Sequence, residues 1–534
     1  MSLKDSINQR FSITTPLYYA NALPHVGSAY TTIAADVIAR FYQLQGTPVL
    51  LVTGTDEHGQ KIQRTAEGLG LTPQAHCDQI VPHFKALWQQ LNIQYDRFIR
   101  TSDPRHEVIV KEFFGRVWDK GDIYLGQQKG WYCVSCEEFK EERDLLENHH
   151  CAIHANQAVE WRDEQNYFFR LSAYQDRLEA FYSDHPDFIQ PEIRRNEVLS
   201  FVSQGLQDFS ISRVNLDCGI PVPGNPDHTL YVWFDALLGY VTALLEPTDA
   251  PTLENALAQW YPFNLHLIGK DILRFHAIYW VAMLMAAELP LPERVFGHGF
   301  LTKDGQKMGK SSGNVLDPFA LVSRYGSDAV RYYFLKEIEF GRDGDFNETR
   351  FINILNADLA NDLGNLLNRT LKMVQKYCGP AIPAVEVEAV RQDNPLAIAG
   401  QSLGDRVSQS YRSLAFAEGC EAILSLVRLG NKYIDDQAPW TLYKQGQQAR
   451  VEQILYTVLE SVRLSAYLLS PITPGISTAI YQQLGYAIDF TQSLTDVAAA
   501  FALHSVWGTL TPNQPMGEPK PVFQRLELAE AVAP

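Results

Sequence analysis

Two short runs of residues carry groups suited to handling a triphosphate. In Lys307-Met308-Gly309-Lys310-Ser311, with Lys303 before it and Gly305, Ser312 and Gly313 around it, lysines sit on a glycine- and serine-bearing loop. Mobile cations of this kind can close over a polyphosphate and stabilise the charge that develops as pyrophosphate leaves. His25-Val26-Gly27-Ser28 follows the strand-like Arg10-Phe11-Ser12-Ile13-Thr14-Thr15 and opens a run of helical periodicity through Tyr30, Ile33, Ala34, Val37, Ile38 and Phe41. A helix start offers unpaired N–H groups and the positive end of the dipole to phosphate. Gly27 would admit ATP closely, His25 would donate a hydrogen bond and Ser28 would add a hydroxyl. Taken singly, each run has an ordinary explanation, a capping histidine or a solvated basic loop. Their order along the chain points to ATP use and adenylate formation.

A third run has metal-ligand spacing. Cys133-x2-Cys136, fourteen further residues and then Cys151-x2-His154 give four donors for a closed tetrahedral zinc site, with His149 and His150 as nearby rivals for the fourth place. A closed site implies a structural clip. The seven cysteines are an odd number, which favours reduced thiols over a disulfide framework. The net charge of -17 argues against indiscriminate nucleic-acid binding through bulk charge. A local track remains open: Asn365 and Arg369 share a helical face, with Lys372 and Lys376 near the same stripe. No apolar stretch approaches the ~18 residues of a membrane span and the start resembles no leader, so the expected location is the cytoplasm.

The elements that must hold these groups follow a recognisable plan. Gly46-Thr47-Pro48 ends the first helix, and the apolar Val49-Leu50-Leu51-Val52 delivers Thr53-Gly54-Thr55-Asp56-Glu57-His58-Gly59 at a strand's carboxyl end. That is a strand–helix–strand unit of a parallel sheet, where ligands gather beyond the strand ends. Short segments around the cysteines interrupt it, and strand-like runs return at Leu230-Tyr231-Val232-Trp233 and Leu265-His266-Leu267-Ile268. Beyond Asn347 the pattern is helical throughout, as in a bundle. The expected class is α/β: a Rossmann-type parallel-sheet catalytic domain with a zinc-bearing insertion, followed by an all-α bundle. The expected boundaries are 1–117 and 225–324 for the two catalytic halves, 118–224 for the insertion, 325–349 for a linker, 350–507 for the bundle and 508–534 for a tail that packs back.

The two phosphate motifs resemble the signatures of class I aminoacyl-tRNA synthetases. Within that class the chain is similar to the methionyl-tRNA synthetase family through Pro16-Leu17-Tyr18-Tyr19-Ala20-Asn21, the Gly54–Gly59 run, Tyr231-Val232-Trp233-Phe234-Asp235-Ala236, Gly269-Lys270-Asp271-Ile272, Phe340-Gly341-Arg342-Asp343-Gly344-Asp345-Phe346 and Gln437-Ala438-Pro439-Trp440. The resemblance covers nearly the whole chain and implies a methionine–tRNA ligase acting with ATP and Mg2+, with one structural Zn2+, on elongator and initiator tRNA(Met). It implies His25, Lys307 and Lys310 in catalysis, and Gly27, Ser28, Gly269, Asp271 and Ser311 at ATP. For methionine it implies Leu17, Tyr19, Asp56, Trp233, Ala236, Tyr240, Ile272 and His276. Asn365, Arg369 and Trp440 would read the anticodon, the Trp by stacking on an unpaired base. A monomer is expected.

The chain departs from the family pattern at Ser28 and Gly309, where the signatures usually carry a His and a Ser, at Leu237 in place of a common Pro, and at Cys218 in place of an aromatic residue. Two other readings compete: a non-catalytic RNA-binding protein that keeps the architecture, and a cytidylyltransferase-like enzyme with similar His-containing motifs. The cysteine cluster and the Trp440 bundle weigh against the second.

Overall fold

The computed structural model describes residues 10–134, 137–140, 142, 145–146, 148–152, 158–308, 314–492 and 498–527. The chain forms two compact units: one of residues 1–24, 50–87 and 95–298, the other of residues 25–49, 88–94 and 299–534.

The first unit is built on strands β1 (Phe11–Tyr19), β2 (Val49–Asp56) and β3 (Arg97–Arg100), followed by the inserted β4 (Ile123–Cys133), β5 (Glu138–Lys140) and β6 (Glu160–Phe169), then β7 (Ile189–Gln190), β8 (Leu265–Gly269) and β9 (Val295–His298). One six-stranded sheet has the order β3-β2-β1-β8-β9-β7. Its pairs β1/β8, β8/β9, β9/β7 and β2/β3 are parallel. Ile13, Leu51, Val52, Leu265, Leu267 and Val295 are fully buried, as expected of strands covered on both faces. The insertion has a separate antiparallel sheet, in which β4 lies between β5 and β6. The run Leu230-Tyr231-Val232-Trp233 is not a strand throughout. The strand Asn225–Leu230 stops, and Val232–Ala236 is a short helix. A four-residue apolar run fits either element, and here packing decides.

The second unit begins with helix α1 (Val26–Leu44), which is buried along most of its length. Strands β10 (Leu301–Lys303), β11 (Gln306–Lys307) and β12 (Gly344–Phe346) form a small sheet. The bundle includes α2 (Ser327–Glu337), α3 (Glu348–Leu355), α4 (Asn365–Tyr377), α5 (Phe416–Gln437) and α6 (Gln448–Leu469), with a π-helical stretch Asn356–Gly364 joining α3 to α4. Asp36 on α1 receives both Arg40 at 2.8 Å and Arg331 of α2 at 2.6 Å, all three fully buried. Other guanidinium protons go to the carbonyls of Asn92, Phe490, Leu91, Pro471 and Ile472. Every charge in that core is therefore paired or hydrogen-bonded, the condition for burying one. The C-terminal segment returns along the bundle. Glu460 accepts the backbone N–H groups of Gly508, Thr509 and Leu510, and Asn356 brackets the backbone of Leu526.

Candidate active site

In the first unit, the end of β2 carries Asp56 into a rigid loop. Glu57, only 2% exposed, accepts from both nitrogens of the Arg100 fork at 2.7 and 2.8 Å, from Thr55 and Ser102 at 2.6 Å each, and its own N–H is held by Thr101. Asp235 is fully buried between two histidines, His58 and His106, each at 2.6 Å. Burial alone would raise the Asp235 carboxyl; the two imidazoles outweigh it and hold it at about 2. Asp56 accepts the N–H of His58 at 3.5 Å. Burial first, then the neighbouring carboxylates of Asp235 and Glu137, push it well above the usual carboxylate range. A buried carboxyl among like charges is a receptive place for a cation.

The same unit holds a cluster of apolar side chains. Trp233 lies flat on Phe275, with ring centroids 3.9 Å apart, and Leu17, Trp233 and Ile272 pack against the core that includes Tyr240. His276 is neutral there: burial lowers its pKa to about 4. Its Nδ1 faces the Ile272 carbonyl at 3.0 Å and so carries the proton, leaving Nε2 to accept from the Tyr240 hydroxyl at 2.8 Å. The eight residues expected at methionine all lie in this unit, with Ala236 on the same short helix as Trp233. Gly269 ends β8, where a side chain would meet the Asp271 carboxylate.

In the second unit, His25 caps α1 with its own ring. Nδ1 accepts from the N–H of Gly27 at 3.0 Å and of Ser28 at 3.3 Å, so the proton of a neutral imidazole must sit on Nε2, which is then the ring's donor. A Cβ on Gly27 would fall 2.9 Å from that ring, so the residue must be small for the cap to form. Ser28 takes part in the same cap. It is buried; its hydroxyl donates to the His25 carbonyl at 2.7 Å and accepts the His25 N–H at 3.1 Å, closing a reciprocal capping box instead of extending to a phosphate. Ser28→Ala should therefore lower thermal stability by about 1 kcal/mol, with a smaller loss of adenylate-forming rate than a change at His25. Thermal unfolding and pyrophosphate exchange measured together would check this.

The lysine run is less loop-like than its composition suggested. Lys303 pairs with Gln306 and Thr302 with Lys307 across a two-residue turn, Asp304-Gly305, in which both residues have positive φ, 52° and 73°. This is the hairpin turn that an Asp-Gly pair favours. Asp345 of β12 holds it through Thr302 at 2.6 Å and the Gly305 N–H at 2.8 Å. Gly309, Lys310 and Ser311 lie outside the described residues.

Of the four expected zinc ligands, Cys133 and Cys151 are both buried in one cluster with Val159, walled by Trp131 and Leu145. Two thiols drawn into one small core suit a soft-donor metal site. Cys136 and His154 lie outside the described residues. The His149 ring is stacked on Trp131 at 4.2 Å.

On the bundle, Asn365, Lys372 and Lys376 are exposed, and Trp440 is 39% exposed on the helix Pro439–Lys444. Arg369 is not a simple member of a positive track. It reaches across to α5, bonding Asp435 at 2.9 Å and both the carbonyl and the side chain of Asn431 at 3.1 Å. The acid that neutralises it comes from a different helix.

The chain matches the family model "tRNA synthetases class I (M)" over residues 11–146 and 140–371, and "Anticodon binding domain of methionyl tRNA ligase" over residues 402–528. It is 68% identical to a methionine–tRNA ligase of Nostoc sp. along the whole of both chains, and 66% identical to that of Synechocystis sp. over 98% of this chain and 99% of the other. The chain belongs to the methionine–tRNA ligase family of class I synthetases. Among solved structures, Mycobacterium tuberculosis methionyl-tRNA synthetase in complex with methionyl-adenylate aligns with a TM-score of 0.89 at 42% identity, covering 97% of this chain and 100% of that one. The apo form of the M. tuberculosis enzyme aligns with a TM-score of 0.83 at 39% identity, over 98% and 99% of the two chains.

Several groups in this methionine–tRNA ligase family member escaped the sequence reading. His106 gave no motif, yet it is one of the two histidines bonded to Asp235. Arg213, buried beneath Tyr231 at 4.2 Å, and Glu137, buried against Tyr19, both lie in the insertion, which reads in sequence as a zinc clip and little else. The one available signal for Arg213 is its place among apolar and hydroxyl residues before Cys218-Gly219-Ile220-Pro221.

Proposed function

We propose that this chain activates L-methionine with Mg-ATP, releasing pyrophosphate, and transfers the methionyl group from the adenylate to the 3′ end of elongator and initiator tRNA(Met). Membership of the family, at 68% identity over the whole chain, carries the reading. The Asp56 carboxyl takes the methionine ammonium, whose arrival compensates the buried charge. Trp233, Ile272 and Leu17 offer polarisable apolar surface to the thioether, with Tyr19, Ala236, Tyr240 and His276 completing the wall. Because His276 is neutral and bonded to Tyr240, it adds shape and one fixed dipole without placing a second cation near the ammonium.

The methionine carboxylate attacks the α-phosphorus, and the bond to pyrophosphate breaks. His25 donates from Nε2 to the developing phosphate charge, while Lys307 and Lys310 stabilise the departing pyrophosphate. Gly27, Gly269, Asp271 and Ser311 shape the nucleotide site, and Ser28 holds His25 in its capping rotamer. The 2′-hydroxyl of the terminal adenosine then attacks the methionyl carbonyl and AMP leaves. Asn365, Arg369 and Trp440 read the anticodon. The protein acts as a cytoplasmic monomer. Among the described residues no helix is long and apolar enough to cross a membrane.

Charging of a tRNA(Met) transcript tests the whole reaction, and its absence would count against the proposal. In that assay Trp440→Ala should raise the tRNA KM about tenfold, the scale of one base–aromatic stack, with pyrophosphate exchange unchanged. Cys133, Cys136, Cys151 and His154 would hold zinc, which supplies a structural crosslink and no open coordination position. Elemental analysis should find about one zinc per chain, reduced in Cys133→Ser.

A further inference from the structure

A side chain of the insertion, Glu137, reaches the residues assigned to methionine. Cys133, the last residue of β4, pairs with Glu138, the first of β5. Glu137, directly before β5, has φ 54°, a left-handed conformation. The unusual backbone sends the Glu137 side chain inward, where the residue is only 5% exposed.

One carboxylate oxygen of Glu137 is fully committed. Oε1 accepts the Tyr19 hydroxyl at 2.6 Å and the Lys61 N–H at 2.7 Å. Gly59 marks how tightly the three segments meet: a Cβ there would fall 2.5 Å from Glu137 Oε2 and 2.6 Å from the Tyr19 hydroxyl. Gly59 also has φ 110°, so both its conformation and its neighbours require glycine. Tyr19 thus has its phenol fixed from the insertion, and the first turn of the helix that closes the Asp56 loop is held by the same carboxylate.

We propose that Glu137 is a positioning residue for methionine: it sets the Tyr19 ring and the Asp56 loop, and so ties the cysteine-bearing hairpin to the amino-acid pocket. It acts by accepting hydrogen bonds. The inference rests on reading Tyr19 and Asp56 as walls of that pocket. Loss of the acceptor leaves a buried hydroxyl and a backbone N–H unsatisfied, which is enough to disorder the ring.

The test is steady-state pyrophosphate exchange with separate KM values for methionine and ATP. Glu137→Ala should raise the methionine KM about tenfold, the consequence of leaving such groups unpaired, with the ATP KM unchanged. Glu137→Gln keeps the acceptor oxygen and should restore a near-normal methionine KM. Tyr19→Phe, which removes only the hydroxyl, should resemble Glu137→Ala, and the double variant should be no worse than the poorer single one. A normal methionine KM in Glu137→Ala, independent effects in the double variant, or Glu137→Gln as impaired as Glu137→Ala would each overturn the proposal. Asp56→Asn separates the two levels. If it raises the methionine KM while Glu137→Ala does not, this inference fails alone; if neither changes it, the pocket assignment fails.

Discussion

Replacing His25 with alanine should lower the rate of methionyl-adenylate formation by about 10²- to 10³-fold, the usual cost of removing one preorganised donor to a developing oxyanion. The expectation follows from the tautomer. Because Nδ1 is occupied by the N–H groups of Gly27 and Ser28, the ring is oriented and its proton is placed on Nε2 before any substrate arrives. The same substitution removes a helix cap and should cost about 1 kcal/mol of stability. His25→Asn separates these effects. Asparagine is a good N-cap, so its thermal stability should return towards that of the parent protein, while the shorter side chain leaves the rate depressed. A His25→Asn rate near the parental value would mean that capping, and not donation, is what His25 supplies.

Lys310→Ala should be at least as damaging, about 10³-fold on pyrophosphate exchange, in line with the removal of a cation that stabilises phosphoryl-transfer charge. Methionine affinity, measured by calorimetry without ATP, should barely change, because the residues assigned to methionine are held by the sheet strands, the Glu57 network and the Asp235–histidine contacts. A matching loss of methionine affinity would place Lys310 in general folding of the site. Lys307 pairs with Thr302 beside the Asp304-Gly305 turn.

Much of the fold was legible because its determinants are local. The helix beginning at His25 and ending before Gly46 followed from apolar spacing and glycine placement, and β2 and β8 from apolar runs bounded by turn residues. The Asp304-Gly305 hairpin was equally legible, yet its glycine and lysine content suggested an open loop. What sequence did not reveal depends on segments far apart in the chain. Ser28 looks like a phosphate ligand until the cap shows where its hydroxyl goes. Arg369 looks like a free cation until Asp435, sixty-six residues later, is found beside it. Glu137 is one of several acidic residues after a cysteine, and only its left-handed turn and the Tyr19 hydroxyl distinguish it from a solvated charge. The zinc site was proposed from spacing; Cys133 and Cys151 share one buried cluster, and Cys136 and His154 lie outside the described residues.

Pyrophosphate exchange against each of the twenty amino acids tests the assignment most directly. Exchange should be strong with methionine and weak with leucine, isoleucine and valine, although the margin against isosteric apolar side chains is limited to about 1–3 kcal/mol per methylene. Exchange driven best by another amino acid would contradict the methionine assignment, and no exchange with any of them would contradict adenylate formation itself.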